Sequence, residues 1–314
     1  MIAKSIAIRQ QTQTQTRTRF KKKQLVGFVF IAPWIVGFLT FDVYPLFASL
    51  YYSFTDFGLG LVHNFVGFAN YIKIFAGDAI FNQSVKVTLI YTLFAVPGRI
   101  IFALFIAVVL NMKLRGIGIF RTMYYLPSIL GGSVAVAVLW RAMFMHNGAI
   151  NSLLSIFTNE PVTIHWLGSP NTALIPVILL AVWQFGSSMV LFLASLKQVP
   201  NELYEAAIVD GAGKIRIFFA ITIPMISPII LFNLIMQMVN AFQDFTGAFI
   251  LTGGGPLRAT YLYGIMLYET AFDQFRMGYA SALSWVLFVV IIILTAIIFK
   301  TSGTWTHYED GGDF

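Results

Sequence analysis

From Tyr279 to Phe299 the chain carries no charged side chain. A helix over that stretch, rising about 1.5 Å per residue, spans the roughly 30 Å hydrocarbon core of a bilayer. A soluble fold could hide such a run only in a deep interior, and the composition denies it one. Hydrophobic residues make up 58% of the 314 and charged residues 11%, against about 25% charged in soluble domains. Five more stretches share the character, near 24–50, 87–110, 120–144, 172–196 and 224–245. With 278–300 they predict an all-α polytopic membrane protein of six transmembrane helices, with 24–300 as one transmembrane domain. The first run is too long for a signal peptide and no small-residue cleavage site follows it, so it is read as a retained span.

Charge then orients the chain. Residues 1–23 hold Lys4, Arg9, Arg17, Arg19, Lys21, Lys22 and Lys23 and no acid. Their polar, low-complexity character predicts a disordered tail. With that tail in the cytoplasm, Lys113, Arg115, Arg121, Lys197, Lys214, Arg216 and Lys300 also fall inside. Only Lys73, Lys86, Arg258 and Arg276 fall outside. The bias predicts both termini in the cytoplasm, with 301–314 a short acidic C-terminal tail. The net charge of +7 is thereby explained by membrane topology, and no nucleic-acid partner is expected. The outside loops, about 51–86, 145–171 and 246–277, are long and rich in aromatics and predict order.

Catalysis by this chain is not expected. Cysteine is absent, and His63, His146, His165 and His307 are scattered without metal-ligand spacing. Gly253-Gly254-Gly255-Pro256 lacks the lysine and hydroxyl residue of a phosphate loop and is read as a turn. No catalytic residue, metal site or directly bound cofactor is therefore assigned. A membrane-embedded enzyme would want acids or histidines clustered at one depth, and Asp42 and Asp244 do not supply that.

The spans are not uniformly apolar. Asn233, Gln237, Asn240 and Asp244 recur at helical spacing, and polar groups in hydrocarbon must face protein or water. Two readings stand: a hydrophilic lining for a polar cargo, or hydrogen-bonded glue between helices. Gln184, Ser188 and Ser195 form a weaker stripe on the fourth span. Arg99, after Pro97-Gly98 in the second span, marks a pathway or a buried pair. Facing the path, it would favour an anionic cargo. Arg141 lies near the end of the third span and is read as structural. Trp183 and Tyr268 are candidates to stack on a cargo.

The inside loop from Val199 to Pro224 is unusual for a connection. Asn201 is a plausible N-cap, Glu202 and Glu205 suit a first turn, and Ala206 and Ala207 make a low face. Gly211 and Gly213 permit a sharp turn into a second helix that is expected to end before Pro224. Such a hairpin can dock a protein or lie on lipid headgroups.

Glu205-Ala206-Ala207, Asp210-Gly211-Ala212, Ile221 and Pro224 resemble the EAA loop of binding-protein-dependent ABC importer permeases. Asn111, Arg115-Gly116, Phe120-Arg121-Thr122, Leu126-Pro127 and Trp140-Arg141 are similar to the carbohydrate branch, the maltose, lactose and glycerol-phosphate type. So are Thr252-Gly253-Gly254-Gly255-Pro256 and Gly278-Tyr279-Ala280-Ser281-Ala282. The resemblance covers roughly 25–300 and implies a type I importer permease in a bacterial inner membrane. It further implies a second homologous permease, two ATPase subunits that use ATP and Mg, a periplasmic solute-binding protein and a carbohydrate substrate. Through it Glu205, Ala206, Ala207, Asp210 and Gly211 are expected to couple to the ATPase. Asn233, Gln237, Asn240, Asp244, Gln184 and Arg99 are candidates for the substrate pathway. The alternatives are an anionic sugar, such as a uronate oligosaccharide or glycerol phosphate, and an ion-coupled secondary carrier. Such carriers carry internal repeats, and no clear repeat is visible here.

Overall fold

The computed structural model describes residues 30–60, 63–112 and 116–306. The predicted tail 1–23, residues 307–314 of the predicted tail 301–314, the start of the first span, and Lys113 and Arg115 lie outside the described residues. Among the described residues the secondary structure is helical, with one isolated antiparallel bridge between Thr55 and Phe65.

Three helices are long and apolar enough to cross a membrane unbroken: α1 (Phe30–Ser53), α3 (Ala79–Asn111) and α14 (Met277–Ser302). A short α2 (Ala69–Phe75) precedes α3. The other three predicted spans are bent pairs. They are α4 (Ile117–Leu130) with α5 (Val134–Met143), α7 (Leu174–Trp183) with α8 (Gly186–Leu196), and α10 (Lys214–Met225) with α11 (Ser227–Phe242). Between α5 and α7 lies α6 (Ala149–Thr158), and α9 (Asn201–Val209) precedes α10. The bends measure 101°, 41° and 68° in that order. The region 120–144, expected as one crossing, therefore turns sharply at Gly131-Gly132-Ser133, where the Ser133 hydroxyl caps α5 by accepting from the Val136 amide at 3.3 Å. The third bend has a chemical cause. Pro228 cannot donate to the carbonyl four residues back, and the Ser227 hydroxyl bonds that Pro224 oxygen instead at 2.6 Å.

Two sequence expectations around the hairpin are corrected. Pro200 occupies the N-cap of α9, and Asn201 is already its first helical residue with no capping bond from a side chain. The second helix does not end before Pro224 but runs through it to Met225. The expected outside loop 246–277 also holds two short helices, α12 (Thr246–Thr252) and α13 (Tyr263–Tyr268), and buries Tyr263, Ile265 and Met266.

The core is built around α3. Val87, Tyr91, Ala95, Ile100, Ala103, Ala107 and Leu110 are buried along it at helical spacing. Its alanines let α7, α8 and α11 approach closely, as small residues do between membrane helices. The fourth span also comes close to the third at Gly186, where an added Cβ would stand 2.9 Å from the Tyr124 carbonyl and 2.8 Å from the Ser128 hydroxyl. By contrast α1 buries almost nothing. It lies along α14, where the Trp285 indole donates to the Ser49 hydroxyl at 3.2 Å, and exposes Phe30, Trp34, Phe41 and Phe47. In a chain that crosses a bilayer, such a face meets lipid or another protein.

Asp78 ties the two longest helices together. Its carboxylate caps α3 by accepting from the Ile80 and Phe81 amides at 2.9 and 3.3 Å, and accepts from the Tyr279 hydroxyl of α14 at 2.7 Å. Partial burial opposes its charge, but the Tyr279 hydroxyl and the Phe81 and Ile80 amides, with Lys73 nearby, outweigh it and hold the carboxyl below the usual range. A folded value below the unfolded one stabilises fully at neutral pH and is lost as pH falls through the folded value. Asp78→Ala is expected to cost about 1–2 kcal/mol at pH 7, as a lost N-cap does. Denaturant unfolding checks this, and the gap to the parent should close as the pH falls below the ordinary carboxylate value of 3.8.

Candidate functional site

The first two helix breaks and the far end of α11 meet at a cavity of about 260 Å³ lined by Tyr91, Arg99, Gly131, Gly132, Gln184, Gln237, Asn240, Asp244, Thr246 and Gly247, among others. Five of the six predicted pathway residues are thus brought together: Arg99, Gln184, Gln237, Asn240 and Asp244. Asn233 is not among them. It is 1% exposed and its amide donates back to the Ile229 carbonyl of its own helix at 3.0 Å. The predicted stripe is also cut short, because α11 ends at Phe242 and Asp244 stands in the turn beyond it. Ser195 is buried away from the cavity lining.

Arg99 is the hub. Its Nε donates to the Ala181 carbonyl at 2.7 Å, in the last turn of α7, where a cation also complements the helix dipole. One terminal nitrogen donates to Gln237 Oε1 and the other to Gln184 Oε1 at 3.4 Å. The two glutamines pass the contact on. Gln184 Nε2 donates to the Gly131 carbonyl at the bend of α4 and α5, 2.9 Å away, and Gln237 Nε2 donates to the buried Ser188 hydroxyl of α8 at 3.0 Å. Ser128 closes the ring, with its hydroxyl donating to the Gln184 carbonyl at 2.9 Å and accepting from the Ser187 amide at 3.1 Å. Gln184 and Gln237 thus bond between helices of this chain and also face the cavity.

Asp244 sits at the opposite end of the site and accepts from the Tyr91 hydroxyl. Sequence reasoning missed Tyr91, although its spacing to Ala95 and Arg99 put all three on one face of α3. Nor were Gly131, Gly132, Thr246 and Gly247 foreseen, because a bend shows no periodicity. Asn240 is exposed to the cavity. The two aromatics proposed for stacking are elsewhere. Trp183 packs on Trp140 with ring centres 5.5 Å apart, and Tyr268 stacks on Phe245 at 4.8 Å. Arg141 donates to the Ile250 carbonyl at 3.4 Å, joining α5 to α12.

The second predicted site stands apart from the first. Residues 201–225 form a hairpin of α9 and α10 that turns at Gly211, whose φ of +77° is a conformation glycine adopts without strain. Glu202, Glu205, Ala206 and Asp210 are exposed, and Val209 at the tip is 87% exposed. Apolar tips beside unpaired acids make a surface fit to be covered.

Residues 87–303 match the family model described as binding-protein-dependent transport system inner membrane component. The chain is 50% identical over 291 residues to a probable ABC transporter permease protein, YesP, of Bacillus subtilis (strain 168), covering 92% of this chain and 94% of that one. It is 34% identical over 280 residues to the multiple sugar-binding transport system permease protein MsmF of Streptococcus mutans serotype c, covering 88% and 94%. Among solved structures, a chain of a bacterial alginate ABC transporter, crystallised with its alginate pentasaccharide-bound periplasmic protein, superposes with a TM-score of 0.78 at 20% identity. The match covers 90% of this chain and 96% of that one, and shows a shared fold.

The hydrogen-bond ring gives a direct test of which lining residues hold the fold. Gln237→Leu strands an Arg99 nitrogen and the Ser188 hydroxyl, and is expected to cost about 1–3 kcal/mol. Asn240→Leu strands nothing and should stay within about 0.5 kcal/mol of the parent. Thermal unfolding of the two purified variants separates them.

Proposed function

The chain belongs to the family of binding-protein-dependent transport system inner membrane components, and from that premise we propose that it is the permease subunit of an ATP-driven carbohydrate importer. It forms half of a translocation path, the other half coming from a second homologous permease in a bacterial inner membrane. A periplasmic solute-binding protein delivers the sugar, and two ATPase subunits hydrolyse ATP, with Mg as their cofactor, on the cytoplasmic side. The arginine and lysine bias supports cytoplasmic termini. The single observation that carries the reading is the polar cavity where the breaks of the third and fourth spans face the fifth, in a chain otherwise clothed in apolar side chains. A cargo rich in hydroxyls needs donors and acceptors at membrane depth, and backbone bent away from helical bonding is tolerated there only where it lines such a cavity.

The lining also bears on the class of cargo. Arg99 and Asp244 carry opposite formal charges and the remaining polar groups are neutral. A balanced lining favours a neutral oligosaccharide over an anionic one, and the name of the sugar-transporting relative MsmF points to the same class. Arg99 spends its donors on three neutral oxygens of the protein, which leaves it poorly placed to clamp an anion.

Coupling is assigned to the hairpin. Glu205, Ala206, Ala207, Asp210 and Gly211 make a rigid, low-profile knob, and the exposed Glu205 carboxylate can make charge-assisted hydrogen bonds in a partner cleft. ATP closes the ATPase pair, the hairpins follow, and the two permeases exchange an inward-facing for an outward-facing path.

Glu205→Ala is expected to leave the permease inserted and the complex's basal ATP turnover present. It should lower ATP-driven oligosaccharide uptake in proteoliposomes by about tenfold or more, the scale of a lost charged hydrogen bond. Unimpaired uptake would refute the coupling role. Uptake that needs an ion gradient and no ATPase subunit would instead identify a secondary carrier.

A further inference from the structure

We infer that the Tyr204 hydroxyl, bonded to Thr222, is the bearing on which the hairpin turns, and that it passes hairpin motion to the bend of the fifth span. The inference rests on the coupling role of the hairpin proposed above. It starts from how little holds α9 to the rest of the molecule. No residue of α9 is buried, and of the apolar side chains between 201 and 213, Tyr204 is the one packed against the core. Its phenol oxygen lies 3.2 Å from the Thr222 hydroxyl, either of which can donate. Among the described residues this is the hairpin's one side-chain hydrogen bond to the span that follows it.

Thr222 is positioned to use that contact. It is 6% exposed and closes a π-turn over Phe218–Thr222, a local widening of the helix that recurs at functional positions. Its carbonyl accepts from the Ile226 amide at 3.1 Å, the last helical bond before the 68° bend. The side chain of Thr222 therefore holds the hairpin while its backbone holds the hinge. Beyond the hinge, α11 carries Gln237 and Asn240 into the cavity. Glu205 is adjacent to Tyr204 in the chain. A pull on Glu205 reaches the hinge through Tyr204 and Thr222, in addition to the covalent route through Gly211.

The chain has no cysteine, so a single introduced thiol reports on it specifically. The test uses the assembled transporter with Asn240→Cys as reporter, measuring labelling by a water-soluble maleimide with and without ATP and vanadate. The parent should show a nucleotide-dependent change in labelling rate. Tyr204→Phe and Thr222→Val should each shrink that change about threefold to tenfold, the effect one neutral hydrogen bond supplies. The double variant should do no worse than either single, and Thr222→Ser, which keeps the hydroxyl, should retain most of the response. An unchanged response in Tyr204→Phe overturns the inference, as does a double variant whose loss is the product of the singles. A parallel preparation with Glu205→Cys tests cross-linking to the ATPase. Cross-links with an unaltered response in Tyr204→Phe sink the bearing alone. Absent cross-links, or a parent that ignores nucleotide, sink the coupling role and the bearing together.

Discussion

A helix that breaks inside a membrane exposes backbone groups that neither lipid nor its own next turn can bond. Everything distinctive in this molecule follows from how that deficit is met. The break between α7 and α8 leaves the Ala181 carbonyl a 3.3 Å bond from the Gln184 amide, and the Arg99 guanidinium adds a shorter one at 2.7 Å. The sharp turn between α4 and α5 frees the Gly131 carbonyl, and the Gln184 amide takes that. The proline at 228 frees the Pro224 carbonyl, and the Ser227 hydroxyl takes the third. Unmet, each would cost several kcal/mol in hydrocarbon. Because each cap is a polar side chain, the breaks bring polarity with them, and the cavity forms where the first two face the far end of α11. The hydrophilic interior is in this sense a by-product of bending helices safely, available for a cargo that needs it.

The same accounting separates two kinds of polar residue within one stripe. Gln184 and Gln237 use both ends of their amides on protein partners, so their positions are fixed by the network before any cargo arrives. Fixed donors and acceptors cost little to present, which is what a path needs if cargo is to pass and not stick. Asn233, one turn earlier than Gln237, turns back on its own helix, as a short amide without a neighbour does. Helical spacing thus conceals two different fates, set by what each side chain meets across the interface.

This explains what could be read from the residues alone. Six apolar runs and an arginine and lysine bias are properties of composition over long windows, and they survive any local irregularity. The hairpin was legible because Glu205-Ala206-Ala207 and Gly211 are local signals, and the left-handed φ of Gly211 is the kind glycine is kept for. The bends were not legible. Gly131-Gly132 could pass for a flexible point in a straight span, and Pro224 was read as a stop when it opens a helical segment. Nor could spacing reveal that Arg99 faces two glutamines on two other spans, because that contact depends on the bend angles themselves. Local chemistry was visible, and the relation between distant segments was not.

Mechanical consequences follow from where rigidity and looseness fall. The long helices α3 and α14 are locked by Asp78 at one end and by a buried alanine face along α3. The hairpin, by contrast, is anchored by its chain ends and one aromatic side chain. A body that must move as a lever needs this contrast: a stiff arm on a narrow support, set against a frame that does not yield. Packed cores switch between discrete arrangements instead of deforming smoothly. The small support is therefore the place where a modest push can choose between two positions of the bent fifth span. The π-turn at Phe218–Thr222 ends at the support, one turn before the bend, and its wider turn loosens the helix without breaking it. Stiffness in α3, looseness at 218–226 and polarity at 131, 184 and 237 are thus parts of one design, in which the groups that make a broken helix tolerable also make it movable.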